Sequence, residues 1–296
     1  MKLLDYVREP ALAVRKLQWM RVYRGAPRDV TMDTFNGRLT FRSRDRIIGK
    51  RLFLHRGFEE ELTNATVALL RGEGLLGRGD GLLIDAGANI GMTSIALVRH
   101  GHFARAIAFE PAPDNVRLLE HNVVQNGFED RIRVMPVALS AEDGRVPFEL
   151  SATNYGDHRI RLAAEQGAFE ESSRTVIHVP VRTLDGALAE AGIRPDQVTL
   201  LWVDVQGHEG HLFRGARTLL AAGVPVATEF WPYGIRRSGM TPEEYIAIVT
   251  PWFTHYSVIR ENGTTTRQTI DRLGDEFARL HKPASMEQLL LVRKPS

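Results

Sequence analysis

From residue 82 onward, apolar and polar positions fall into a repeating order. "GLLIDAG" reads as a short buried strand that stops at an acid and a glycine. "MTSIALVRHG" follows at helical spacing and is closed by Gly101. "ARAIAFEP" is a second strand, stopped by Pro111. "PDNVRLLEHNVVQNG" is a helix with Val116, Leu119 and Val123 on one stripe, and "RIRVMPVALS" is a third strand. Such alternation predicts a parallel, doubly wound α/β sheet. The rhythm resumes with "TLLWVDVQG" as a fourth strand, "HEGHLFRGARTLLAAG" as one helix and "VPVATEFWP" as a fifth strand. Thr241 and Pro242 then suit the N-cap and first position of another helix. "HYSVIRENG" and "MEQLLLVRK" are two last strands, suited to an antiparallel pair.

Before residue 56 the pattern differs. Residues 1 to about 30 read as a helix and linker, with Pro10 starting or interrupting the helix. Residues 30 to 56 alternate like strands, and Asn36-Gly37 in "FNGRLTF" is a hairpin signal. "FEEELTNATVALLRG" is a helix ending near Gly72 or Gly74. The division expected is an N-terminal extension of helix and β-hairpin over 1–55, then one Rossmann-like domain over 56–296. Residues 143–183 interrupt the rhythm and read as an insertion beside the sheet.

Composition narrows the chemistry. With 43% hydrophobic and 25% charged residues, the chain is an ordinary globular protein. It has no cysteine, which excludes disulfides, thiolate metal sites and a cysteine nucleophile. No run approaches ~18 apolar residues, so no spanning helix is expected. The opening "MKLLDYVREPALAVRKL" lacks the unbroken apolar core of a signal peptide, so a cytoplasmic protein is expected. A net charge of +2 without lysine clusters argues against a nucleic-acid partner. Arg15, Lys16, Arg21, Arg24 and Arg28 form a denser basic start, read as a solvated helix face or, less simply, a contact for an anionic surface. The extension also suits a lid or a homodimer contact.

Ligands of open α/β sheets bind at the carboxyl ends of the strands. Asp85, Glu110, Ser140, Asp204 and Glu229 fall at or near such ends, and four of them are carboxylates. A dinucleotide site needs G-x-G-x-x-G to cradle a pyrophosphate. Here Gly87 and Gly91 are spaced G-x-x-x-G, and Asp85 would repel a pyrophosphate. An acid there suits a ligand with an amino group, as in S-adenosylmethionine, more than its alternative role as a cap on the next helix. Glu110 suits a ribose diol. The alternatives are an NAD(P)-dependent oxidoreductase on a similar sheet, or a non-catalytic nucleotide-binding module.

The stretches "LLIDAGANIGMTSIAL", "AFEPAPDNVRLLEHNVVQNG", "VALS" and "LLWVDVQGHEGHLFRGA" together resemble the FkbM-type family of S-adenosylmethionine-dependent methyltransferases. The resemblance runs from about residue 55 to 235. It implies a class I methyltransferase sheet, mostly parallel with an antiparallel C-terminal strand, and O-methylation of a hydroxyl on a sugar, polyketide or similar small molecule. Members more commonly carry Glu where this chain has Gln206; Asp204 and Glu209 of the motif are in place.

On this reading the cofactor side comprises Asp85, Gly87, Asn89, Gly91, Ser94, Glu110, Pro111, Ala138, Ser140 and Asp204, with Thr93 an alternative to Ser94. An alcohol acceptor needs a base, a metal or close positioning. Asp204 is the first base candidate, and His208 the second, because a helix N-terminus lowers a histidine's pKa. Glu229 on the next strand joins them; Asp204 with Glu229 is the pair that would hold Mg²⁺, although no metal is the simpler expectation. His211 reads as structural. For the acceptor, Asn154, Tyr155 and His158 of the insertion are expected to cover the site. Phe230, Trp231 and Tyr233 suit an aromatic wall at its mouth, or a hydrophobic anchor for their loop. Arg236 and Arg237 suit an anionic group or plain solvent exposure.

Overall fold

The computed structural model describes residues 10–77, 79–162 and 166–293. The first nine positions, read above as part of a helix and linker, and residues 163–165 of the insertion lie outside them. Among the described residues the helix nearest the start is Pro10–Arg24. Strands β1 (Asp29–Thr34) and β2 (Gly37–Arg42) form the hairpin, but its turn is Phe35-Asn36, because Thr34 pairs with Gly37. Gly37 lies at φ +118°, and a Cβ there would meet Ile95 at 2.7 Å. Asn36 is thereby free for a tertiary task. Its Oδ1 accepts from the Phe58 N–H at 2.8 Å and its Nδ2 donates to the Phe58 carbonyl at 3.0 Å.

The strand-like reading of residues 30–56 fails after β2. Ile48–His55 is a helix that buries Ile48, Leu52 and Phe53 on one side. Its i, i+4, i+5 apolar spacing is helical, but flanking arginines masked it. The next helix, Glu60–Gly72, ends where expected.

The main sheet begins with β3 (Leu82–Ala86), β4 (Arg105–Phe109) and β5 (Ile132–Met135). A second, four-stranded sheet then forms from β6 (Ala138–Leu139), β7 (Gly144–Leu150), β8 (Arg159–Ile160) and β9 (Thr175–Arg182). The expected third strand, "RIRVMPVALS", is therefore two. Pro136, which lacks an N–H for a ladder, lies in the break between them. The main sheet is completed by β10 (Val198–Val203), β11 (Val226–Phe230), β12 (His255–Ile259), β13 (Thr265–Thr269) and β14 (Glu287–Val292). Its order is β13-β12-β14-β11-β10-β3-β4-β5. Strands β11, β10, β3, β4 and β5 pair in parallel. β14 inserts antiparallel between β11 and β12, so the last two expected strands do form an antiparallel pair, within the main sheet. The sheet is thus mostly parallel with an antiparallel C-terminal strand, as the resemblance implied.

Both faces are covered, as a parallel sheet requires. Leu82, Ile84, Leu201 and Val203 point into one core, and Leu83, Leu200 and Trp202 into the other. The second core also contains Trp19, Leu39, Phe41 and Leu52, so the N-terminal helix and hairpin share it with the sheet. Asn122 ties the two covalently distant parts together. Its Oδ1 accepts from the Thr40 N–H at 2.8 Å, and its Nδ2 donates to the Ile90 carbonyl at 2.8 Å. The single helix expected after β10 is broken into Glu209–Arg214 and Arg217–Ala221. At the break, Gly215 packs so tightly that a Cβ would lie 2.1 Å from the Ser140 carbonyl oxygen.

Candidate active site

After β5 and the second sheet, the chain crosses back to lay β10 beside β3. That reversal opens a crevice at the strand ends. Backbone bonds fix its rim. The Asp204 N–H donates to Ala86 O at 2.9 Å, both Gly87 and Ala88 donate to Phe109 O at 2.9 Å, and Glu110 donates to Met135 O at 3.1 Å. The crevice encloses a cavity of about 310 Å³.

Of the cofactor-side residues expected from sequence, Asp85, Gly87, Asn89, Glu110, Pro111, Ala138 and Asp204 line this cavity, as does Thr93. Asp85 is buried, and its Oδ2 accepts from Ser94 Oγ at 2.5 Å and Ser94 N at 3.1 Å. It thus caps the helix Met92–Arg99 from a distance as well as facing the cavity. Burial pushes its pKa up to about 7 despite the Ser94 bonds. Glu110 is braced on both oxygens, by Asn89 N at 2.9 Å and Ala112 N at 2.8 Å, and burial raises it to about 7.

Three expected residues stand off the cavity. Ser94 is engaged by Asp85. Gly91 packs against Leu119 and Ile95, leaving no room for a Cβ. Ser140 bonds His208, Oγ to Nε2, at 2.8 Å.

Asp204, His208 and Glu229 all line the cavity. Gln206 lies between the two acids. Its Nε2 donates to Asp204 Oδ1 at 2.6 Å and to Glu229 Oε2 at 3.1 Å. An amide donor thus occupies the gap where the Mg²⁺ expectation would need a cation. Among the described residues no group of three or more His, Cys, Asp or Glu is arranged to hold a metal. Burial raises Asp204 to about 6, and burial together with the Asp204 charge lifts Glu229 well above the usual carboxylate range. His208 precedes the helix Glu209–Arg214, but burial, followed by His211, pushes its pKa down to about 3. Its Nδ1 is buried without a hydrogen bond. His211 stacks on it and bonds the Ser238 carbonyl at 2.9 Å. Glu209 braces the loop, its Oε1 accepting from Gly207 N at 3.0 Å and Val205 N at 3.3 Å.

The insertion reaches the site. Asn154, Tyr155 and His158 line the cavity. Two amides, Asn89 Nδ2 at 2.9 Å and Asn115 Nδ2 at 3.1 Å, hold the Tyr155 carbonyl above the glycine turn. His158 Nδ1 accepts from Ser151 N at 3.0 Å, and burial lowers its pKa to about 4.

The expected aromatic wall is not at the cavity. Phe230 and Trp231 are buried, and Trp231 Nε1 donates to the Pro283 carbonyl at 2.6 Å. Tyr233 Oη donates to Glu171 at 2.7 Å and packs on Phe169. These rings instead anchor the second sheet, with Arg159 stacked 5.0 Å from the Trp231 ring. Arg236 lies over Phe277, and Arg237 borders a small adjoining cavity that shares Gln206 and His208 with the main one.

Other lining residues gave no local signal. Arg51, Phe58 and Glu59 come from the N-terminal extension and its junction, and Glu261 and Met286 from the C-terminal region. Burial and the nearby Asp204 charge raise Glu59 to about 8. Among the described residues the cavity is thus lined by six carboxyl groups, Glu59, Asp85, Glu110, Asp204, Glu229 and Glu261, against Arg51 as its one Lys or Arg. Five described non-glycine residues have positive φ, and three of them, Glu59, Asn89 and Gln206, line the cavity. Backbone held in such regions concentrates where side chains must be aimed.

Known proteins resemble this chain. The chain is 28% identical over 167 residues to 2-O-methyltransferase NoeI of Sinorhizobium fredii, covering 53% of this chain and 65% of that protein. It is 28% identical over 153 residues to methyltransferase sdnD of Sordaria araneosa, covering 45% and 59%. The matches therefore span less than two thirds of either relative's length. A crystal structure of an FkbM methyltransferase from Methylobacillus flagellatus aligns with 97% of this chain and 60% of its own at 16% identity, with a TM-score of 0.43. The family model of the methyltransferase FkbM domain matches residues 85–265, from the acid that ends β3 to the opening of β13. The chain is a member of the FkbM methyltransferase domain family.

Proposed function

We propose that this chain is an S-adenosylmethionine-dependent O-methyltransferase that acts on a hydroxyl of a small molecule or sugar-containing natural product. The observation that carries the reading is the lining of the cavity, six carboxyl groups against one arginine among the described residues. A pyrophosphate meets one cationic partner there and would keep the buried carboxyl groups protonated, whereas a donor bearing an ammonium and a sulfonium draws them into the ionised form. This disfavours the NAD(P) alternative. Oxygen as the acceptor is supported by the name of the Sinorhizobium relative, a 2-O-methyltransferase.

When bound, S-adenosylmethionine supplies an electrophilic methyl group. The residues present suit it. Each Glu110 oxygen accepts one backbone bond and keeps a lone pair for a ribose hydroxyl. Asp85 keeps Oδ1 for the ammonium while Oδ2 holds Ser94. Gln206 fixes Asp204 and Glu229 as a pair that orients the acceptor hydroxyl. Asp204, at about 6, is matched to take the hydroxyl proton near neutral pH. His208, at about 3, stays neutral and is too weak a base for that step; it positions Ser140 and the loop. Asn154, Tyr155 and His158 close the cavity against water.

Calorimetric titration with S-adenosylmethionine, S-adenosylhomocysteine and NAD tests the reading, repeated on Asp85→Ala and Glu110→Ala. The expected result is binding of both sulfur ligands, weakened by each substitution, and none of NAD. Tight NAD binding, or no sulfur-ligand binding, would overturn it. Methyl transfer to a hydroxyl acceptor in a subsequent screen separates an enzyme from a binding module.

A further inference from the structure

Over residues 10–58 the chain carries twelve Lys or Arg against three acids, although the whole molecule is only +2. All three acids are engaged internally, Asp33 by Arg38 at 3.3 Å. Asp45 is buried and holds the Ile47 and Ile48 N–H groups at 2.9 and 3.0 Å, and Asp29 pairs with Arg42 and Arg117. The same segment holds four of the eight exposed large hydrophobic residues among the described residues: Val14 at 56%, Leu17 at 49%, Met20 at 45% and Ile47 at 51%. Val14 and Leu17 are three residues apart and share a helix face with Arg21, four residues further on. Trp19 on the other side is buried, 5.4 Å from Phe53.

The helix is joined to the cavity lining from its opposite side, that of Trp19 and Tyr23. Arg46 Nε donates to Tyr23 Oη at 2.6 Å, and the Arg44 and Arg46 guanidinium groups lie 5.4 and 5.3 Å from the Tyr23 ring. The next residue, Ile47, lines the cavity. Exposed aliphatic side chains interleaved with arginine, on a segment with four times as many bases as acids, match an anionic lipid interface, where the aliphatic groups enter the headgroup boundary and the cations meet phosphate. Single-stranded nucleic acid fits less well, because it needs aromatic platforms. Here Trp19 is buried and Tyr23 is covered by two arginines.

We propose that the helix Pro10–Arg24, with the Arg44–Ile47 segment, is a membrane-surface contact that seats the cavity mouth on an anionic bilayer. The test is cosedimentation of the full chain with phosphatidylcholine vesicles, with and without about one third phosphatidylglycerol. Native protein should partition about tenfold more strongly onto the anionic vesicles and be released at ~0.5 M salt. Val14→Glu/Leu17→Glu should reduce that partition about tenfold, and so should Arg21→Glu/Arg24→Glu. All four positions are solvent-facing or partly so, and thermal melts check that each variant folds. The charge-reversal pair keeps the test decisive if the first variant misfolds. The proposal is overturned by no vesicle binding, by equal binding to neutral vesicles, or by unchanged binding of a folded variant. Binding to a single-stranded RNA oligonucleotide that anionic vesicles do not compete for would also overturn it, in favour of a nucleic-acid surface.

Discussion

Gly87 and Asp204 approach so closely that a Cβ on Gly87 would lie 1.8 Å from the Asp204 carbonyl oxygen. The contact joins the end of β3 to the end of β10, and Gly87 also sits at φ +87°. Only a residue without a side chain allows both. Gly87→Ala should therefore force the two strand ends apart. A loss of about 2–4 kcal/mol is expected in denaturant unfolding, together with loss of S-adenosylhomocysteine binding by calorimetry. An unchanged midpoint would contradict the packing argument.

The second prediction concerns Gln206, whose amide donates to both Asp204 and Glu229. Gln206→Glu replaces a neutral donor with a third carboxyl group. Like charges raise one another's pKa, so the Asp204 value of about 6 should rise. The basic shift should appear in the rising limb of the pH–rate profile. Gln206→Leu removes the donor without adding charge and should produce a smaller shift in the same direction.

Asp204→Asn should lower kcat about 10²–10⁴-fold if Asp204 accepts the hydroxyl proton. S-adenosylhomocysteine affinity should change little. His208→Asn should cost far less in kcat, because a histidine held near pKa 3 is neutral throughout the working range. A larger loss for His208 than for Asp204 would reverse the assignment.

Glu59 links the cavity to stability. Its folded-state pKa is raised from 4.5 to about 8, chiefly by burial. Its contribution to stability is therefore complete below pH about 4.5 and is lost as pH rises through about 8. Asp85 and Glu110, each near 7, act in the same direction. The ligand-free protein should melt at a lower temperature at pH 8 than at pH 5.5, and Glu59→Gln should make that decline shallower. A steeper decline in the variant would refute the assignment.

Asn36 makes two backbone bonds to Phe58 and lies beside the Met92 carbonyl at 3.3 Å. Asn36→Ala leaves buried backbone groups unpaired and should cost about 2–3 kcal/mol. The loss should also weaken ligand binding, because Phe58 and Glu59 line the cavity. Equilibrium unfolding and calorimetry read the two effects separately.

Local patterning determined much of this protein. The strand–helix alternation from Leu82 onward, the stop of β3 at Asp85 and the glycine turn, and the acids at the ends of β4, β10 and β11 were all legible. Each is set by neighbours within a few residues: apolar runs that must be buried on both faces, and small residues that permit a sharp exit. The helix Ile48–His55 was hidden because its apolar spacing is interrupted by basic residues, and only packing on the sheet selects helix over strand there. The break at Gly215 was hidden because its cause, the Ser140 carbonyl, lies 75 positions earlier in the chain.

Tertiary structure alone decided who meets in the cavity. Glu59 and Glu261 come from opposite ends of the chain to join Asp204, and no periodicity relates such positions. The same holds for Trp231 and Tyr233, whose aromatic character suited a ligand equally well but whose rings are claimed by Arg159, Phe169 and the Pro283 carbonyl. Sequence fixes what each side chain can do. Long-range packing decides which of its partners it reaches first, because burial removes the competing solvent and leaves one set of contacts satisfied.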